Sequence, residues 1–170
     1  EIRIVDGDGK ECPAGEIGEI YLRSPTSGTY RYLGGAPLLP TTEDGFGTAG
    51  DMGYLDDDGF LHIVDRRVDV IITGGANVFP AEVESALCDH PDIADVVVVG
   101  LQDPEWGRRV HAIVEPSGPA NPPSPDDVIA YAKARLASYK APKTVEFVDA
   151  IPRSEATKVS RAALIEARGG

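Results

Sequence analysis

Four short stretches carry residue types from which a binding or catalytic site could be built: "TAGDMGY" (48–54), "DRRVDVIITGGANVFPAEVE" (65–84), "YKAPK" (139–143) and "IPRSEATKVSR" (151–161). Asp51, after Gly50, has a carboxylate able to accept from two neighbouring hydroxyls at once, and equally able to close a turn. Arg66 and Arg67 offer planar donor forks to an anion, although arginines are common on surfaces. The adjacent Gly74 and Gly75 offer a ligand no side chain; they permit unusual dihedrals and close approach to the main chain. A phosphate, a neighbouring helix, a tight turn or a threaded substrate would each use that property. Lys158, in a Ser/Thr-rich loop, can set an ammonium against phosphate oxygens or simply be solvated. Residue type alone leaves each alternative open.

The elements that must position these residues follow two grammars. Up to residue 64, short apolar runs alternate with turn clusters: "IRIV" then "DGDGK", "GEIGEIYLR" then "SPTSG", "MGYL" then "DDDG" then "FLHIV". This is the pattern of hairpins. "DGDGK" and "DDDG" lack the alternating acids and distant Glu of a calcium loop, so they are expected to be turns. From Asp65 the pattern changes. "VDVIIT" reads as a strand, "PAEVESALCDH" as a helix with Val83, Ala86 and Leu87 on one face, and "ADVVVVG" as a buried strand. "RVHAIVEP" is another strand. After the Pro-rich "PSGPANPPSP", Ser124, Pro125, Asp126 and Asp127 form a strong helix start, with Val128, Ala132 and Leu136 facing inward. "KTVEFVD" and "SRAALIEAR" supply a last strand and helix. The expected fold class is α+β: a β-rich segment over 1–65, then a small sheet with helices packed on it over 66–170.

Composition narrows the function. The formal net charge is −12, which opposes general binding to nucleic acid or to an anionic membrane. The charge is uneven: residues 131–170 hold 8 of the 16 Lys and Arg but only four acids, so a small anionic ligand near the carboxyl end is conceivable beside the plainer reading of a solvated basic helix. Cys12 and Cys88 have no metal-ligand spacing and are expected to be reduced. No apolar run is long enough to span a bilayer, and the chain reads as cytoplasmic. It opens without Met and already in strand-like alternation, as a fragment would.

Taken together and in order, the motifs resemble the carboxyl-terminal part of the adenylate-forming superfamily: acyl-CoA synthetases, peptide-synthetase adenylation domains and luciferases. "GEIGEIYLRSP" is similar to the family's "GEIGEI" strand, "AGDMGYLDDDGFLHIVDR" to "TGDLGYLDEDGYLYxxDR", and "IITGGANVFPAEVE" to the acyl-CoA synthetase form "IIxGGxNIYPxEVE". "YKAPK" and the "PRxxxxKxxR" ending follow at family spacing. The resemblance covers essentially the whole chain. It implies that residues 1–65 are the β-rich end of a large amino-terminal domain and residues 66–170 a mobile lid domain.

The resemblance also implies a chemistry. A carboxylic acid reacts with ATP to give an acyl-adenylate, and the acyl group then passes to CoA. Lys158 corresponds to the lysine that bridges carboxylate and phosphate in adenylation, and Asp51 and Arg66 to the nucleotide-binding acid and arginine. Gly74 and Gly75 would line the passage for the pantetheine arm; Trp106, Tyr139 and Lys140 would meet the CoA nucleotide. Arg67 and Val68 fall at the hinge. The phosphate loop, the acyl pocket and the magnesium-binding acid of the family belong to the missing amino-terminal domain, so Mg2+ has no expected ligand here and the fragment alone is expected to be inactive. Two positions depart from the pattern: Val68 replaces a charged hinge residue, and Thr157 replaces the usual glycine before the lysine. "GGANVFP" favours CoA as acceptor, and "RYLGGAP" suggests a fatty-acid or steroid/bile-acid branch. An adenylation domain loading a carrier protein and a non-catalytic nucleotide-binding homologue are the alternatives.

Overall fold

The computed structural model describes residues 1–25, 41–118 and 122–170, so "RYLGGAP" lies outside the described residues. The chain divides into two compact units, Glu1–Val68 and Asp69–Gly170. No described helix is long and apolar enough to cross a membrane.

The first unit is an antiparallel sheet in which β1 (Ile2–Val5), β2 (Gly18–Leu22), β3 (Gly47–Leu55) and β4 (Leu61–Arg66) lie in sequence order. Alternation along the strands turns Ile4 and Ile20 inward, where Phe46 is also buried. The guanidinium carbons of Arg3 and Arg23 lie 3.9 and 4.5 Å from the Phe46 ring centroid, so two basic stems cover its face. Both acidic clusters are turns. Asp6 Oδ1 accepts from the amides of Asp8 and Lys10, and Asp56 Oδ1 from those of Asp58 and Phe60. Each carboxylate satisfies backbone donors that a tight reversal would otherwise leave open.

In the second unit, β5 (Ile71–Thr73) and β6 (Ala76–Val78) form a small hairpin, followed by α1 (Pro80–Cys88). The three-stranded sheet of β7 (Ile93–Asp103), β8 (Gly107–Pro116) and β9 (Thr144–Phe147) lies in that order. The β7 and β8 strands are antiparallel, whereas β9 runs parallel to β8 after the crossover through α2 (Pro125–Lys133). The last element is α3 (Arg161–Glu166). "VDVIIT" is only partly extended: Arg67–Asp69 is a turn of 3-10 helix, and extended structure begins at Ile71. The expected order therefore lacks one strand, β6.

The buried run "ADVVVVG" has a simple cause, since β7 is covered on both faces. Val96 and Val98 join a core with Val83 and Leu87 of α1 and Val128 and Ala132 of α2. Val97, Val99 and Leu101 point the other way, toward Ile151 and Leu164 of α3. Leu136, expected on the inner face of the second helix, lies beyond its end and packs partly buried against the first core. Full burial of a side chain such as Leu87 stabilises by about 1.5–3 kcal/mol. The α2 start is a capping box: Ser124 Oγ accepts from the Asp127 amide at 3.1 Å, and Asp127 Oδ2 accepts from the Ser124 amide at 3.3 Å.

On the α3 face, His111 of β8 is buried beside β9, with Nδ1 2.7 Å from Thr144 Oγ1 and Nε2 3.4 Å from Glu146 Oε2. Arg168 holds both oxygens of Glu146, at 2.7 and 2.9 Å. Burial pushes the His111 imidazole below its ordinary value; Glu146 opposes that shift, while Arg168 and Arg109 add to it.

Candidate functional site

In the first unit a bulge between Met52 and Gly53 interrupts the pairing of β3 with β4 and leaves Asp51 opposite Arg66. Asp51 Oδ1 lies 3.5 Å from Arg66 Nε. The Asp51 side chain is 35% exposed and that of Arg66 69%, so a carboxylate and a guanidinium stand side by side at the surface. A polar ligand bearing hydroxyls and an anionic group could use both.

The residues around Val68 are fastened from each side. Arg67 Nη1 donates to Glu19 Oε2 at 2.8 Å, and the other Glu19 oxygen accepts from Thr48 Oγ1 at 2.9 Å. Asp69 Oδ2 accepts from Arg161 Nη1 at 3.4 Å, and Arg161 Nη2 forks onto Glu84 at 2.8 Å to each oxygen. Glu84 also takes the amide of Val98 at 2.8 Å, which ties α1, β7 and the start of α3 together. Val68 between these anchors is 83% exposed. Its side chain is stiff but meets little.

Gly74 and Gly75 are the two-residue turn of the β5–β6 hairpin, with Thr73 paired to Ala76. Their φ angles are +56° and +83°, as a type I′ turn demands, and glycine takes both without steric penalty. Close approach adds a second reason at Gly74. Its amide donates to the Trp106 carbonyl at 3.0 Å, and a Cβ there would lie 2.5 Å from Trp106 Cε3. A Cβ on Gly75 would meet nothing within 4 Å.

Trp106 sits in the turn from β7 to β8, which Asp103 Oδ1 secures by accepting the amides of Glu105 and Trp106. The Trp106 bond leads the causes holding the Asp103 carboxyl below its usual range. The indole is 41% exposed, and Lys143 Nζ lies 4.0 Å from its ring centroid. Tyr139 is half exposed. Lys140 is engaged elsewhere, with Nζ 2.6 and 2.7 Å from the two oxygens of Glu82 in α1. Thus Gly74 and Trp106 come together as a flat aromatic face beside bare backbone. Lys143, which sequence reasoning passed over, is the cation at that face. The quoted "YKAPK" held the signal, since it offers two lysines three residues apart.

Lys158 is exposed, at the end of a loop that begins at the opposite end of the β7–β8 hairpin. The Ile151 amide donates to Glu115 Oε2 at 3.1 Å, Arg153 is ion-paired to Asp95, and Asp95 and Glu115 are cross-strand partners. From Asp95 to Asp103 the strand advances eight residues, about 26 Å at ~3.3 Å per residue. Within the loop, Ser154 N–H donates to the Lys158 carbonyl at 2.9 Å and Thr157 N–H to the Ser154 carbonyl at 2.8 Å. Thr157 has φ of +60°; a left-handed conformation at a non-glycine residue costs about 1–3 kcal/mol.

Residues 82–158 match the AMP-binding enzyme C-terminal domain. The 2-succinylbenzoate–CoA ligase of Bacillus licheniformis is 41% identical over 157 residues, covering 92% of this chain and 32% of that protein. A fatty acid–acyl-carrier-protein ligase of Streptomyces coeruleorubidus is 40% identical over 159 residues, or 94% of this chain and 30% of its own. Among solved structures, the o-succinylbenzoate CoA synthetase of Bacillus subtilis, in complex with its acyl-adenylate intermediate, matches with a TM-score of 0.81 at 39% identity. That match covers 96% of this chain and 33% of the other. The chain therefore spans about a third of the length of these relatives.

Proposed function

Because this chain belongs to the adenylate-forming superfamily, with its AMP-binding enzyme C-terminal domain matched over residues 82–158, we propose that it is the carboxyl-terminal part of a cytoplasmic acid–thiol ligase. The complete enzyme activates a carboxylic acid with ATP and transfers the acyl group to CoA. The observation that carries the reading is the separation of two unlike working surfaces, the Lys158 loop and the Gly74–Trp106–Lys143 face, at opposite ends of one hairpin. Residues 1–68 form the end of the larger domain and residues 69–170 the lid.

In the first step the carboxylate attacks the α-phosphorus of ATP, a carboxylate–phosphorus bond forms and pyrophosphate leaves. Two anions meet, and the exposed Lys158 ammonium supplies positive charge to both while charge builds on the transferring group. Asp51 accepts from the ribose hydroxyls and Arg66 donates toward ribose and phosphate. In the second step the thiol of CoA displaces AMP from the acyl carbon. The arm of CoA passes along the side-chain-free Gly74–Gly75 turn while its base stacks on Trp106 and its phosphates meet Lys143. Tyr139 and Lys140 flank that path, and the Glu82 pair leaves Lys140 less charge to offer. The Mg2+ that accompanies ATP would be held by its phosphates and by an acid of the amino-terminal domain.

The test uses the complete enzyme. Lys158→Ala is expected to lower acid-dependent pyrophosphate release about 10²- to 10³-fold and to leave thioester formation from supplied acyl-adenylate nearly intact; equal loss of both refutes the assignment. The Streptomyces coeruleorubidus relative favours a second reading, with a carrier-protein thiol in place of CoA. Replacing CoA by a phosphopantetheinylated carrier protein in the same assay decides between the two acceptors.

A further inference from the structure

We propose that Arg153 is a positioning residue for Lys158, fastening a turn that the local sequence disfavours. The inference rests on the adenylation role given to Lys158 above. Glu155, Ala156 and Thr157 form a three-residue loop between Ser154 and Lys158, closed by the Ser154 and Thr157 backbone bonds. In such loops the last position is left-handed and normally glycine. Here it holds Thr157, the one non-glycine residue with positive φ among the described residues. A β-branched residue is poorly suited to it.

Two contacts oppose the return of Thr157 to an ordinary conformation. Its own Oγ1 donates to the Ala156 carbonyl at 2.7 Å. More significantly, Arg153 Nη1 donates to the Thr157 carbonyl at 3.1 Å while Nη2 holds Asp95 on β7. One guanidinium thus spans from the sheet to the strained peptide, and that peptide leads directly into Lys158. A planar fork can make both bonds at once. Without it, Thr157 relaxes and the next residue points elsewhere. A displacement of about 1 Å in a reacting group can lower rate about 10²-fold. Glycine at 157 would adopt the turn with less strain and lessen the dependence on Arg153.

The experiment is a coupled pair of substitutions in the complete enzyme. Arg153→Ala is expected to lower acid- and ATP-dependent pyrophosphate release about 10- to 100-fold, with thioester formation from supplied acyl-adenylate unchanged. Adding Thr157→Gly is expected to restore part of the loss, because the strain that Arg153 opposes is then relieved. Lys158→Ala runs alongside as the control. If Lys158→Ala spares pyrophosphate release, the adenylation reading fails and takes this inference with it. If Lys158→Ala abolishes the step, three results overturn the role of Arg153 alone: an unaffected Arg153→Ala enzyme, equal loss of both half-reactions, or a double variant no better than the single one.

Discussion

Alanine at Gly74 and alanine at Gly75 form a matched pair of perturbations, because both residues occupy left-handed positions of one turn and only one of them touches a ring. The backbone penalty is about 1–2 kcal/mol at either site. Beyond that the environments diverge. A Gly74 Cβ would stand 2.5 Å from Trp106 Cε3, against 3.4–4 Å for ordinary contact, whereas a Gly75 Cβ enters open space. The indole must therefore withdraw by about 1 Å and lose its register over Lys143. Base stacking on an aromatic side chain contributes about 1–3 kcal/mol, which corresponds to about 5- to 140-fold in affinity. In the complete enzyme, Gly74→Ala is expected to raise the KM for CoA by a factor in that range, with pyrophosphate release unchanged. Gly75→Ala, which carries the backbone penalty alone, is expected to lower the melting temperature no more than Gly74→Ala does and to leave the KM for CoA near its original value. Equal effects of the two variants on CoA, or parallel loss of pyrophosphate release in Gly74→Ala, would refute the idea that the face formed by Gly74 and Trp106 receives the nucleotide.

Two further outcomes concern stability. His111 is held below its ordinary value of 6.5 chiefly by burial, so the unfolded chain takes up a proton that the fold refuses. The stability this contributes is complete above about pH 6.5 and declines as acidification proceeds toward the folded value; in urea titrations across that window, His111→Gln should flatten the decline, and an unchanged pH slope would contradict the account. Ser124→Ala removes the capping box of α2 and is expected to destabilise by about 1 kcal/mol, read as a lower urea midpoint with an unchanged m-value and no change in either half-reaction.

The parts of the fold legible in the sequence were those written in local pattern. Val83 and Leu87, and Val128 and Ala132, stand at helical spacing and are buried, and the Ser124–Asp127 signature begins a helix as capping chemistry requires. The β6 strand escaped because three residues carry no period, although the Gly-Gly pair before them is a hairpin turn signal. The failure of the expected strand at 68–70 has a tertiary cause. Arg67 and Asp69 are drawn to Glu19 and Arg161, partners 48 and 92 residues away, and those ion pairs override the extended preference of Val68 and Val70. The same holds for the two lysines of "YKAPK". Which of them would face Trp106 depended on Glu82, 58 residues from Lys140, and no local spacing encodes that choice. The reason for Gly74 was half visible: the sequence implied close approach to main chain, and the fold supplied the indole that approaches.

The double-sided burial of β7 has a consequence for timing. A strand gripped from above and below resists shortening or bending, so it holds apart its Asp95 end, to which Arg153 of the Lys158 loop is tied, and its Asp103 end, beside Trp106. Groups carried at the two ends of that ~26 Å run would not reach one reaction centre at the same moment. If the two surfaces serve the two half-reactions as proposed, they must do so in turn rather than together.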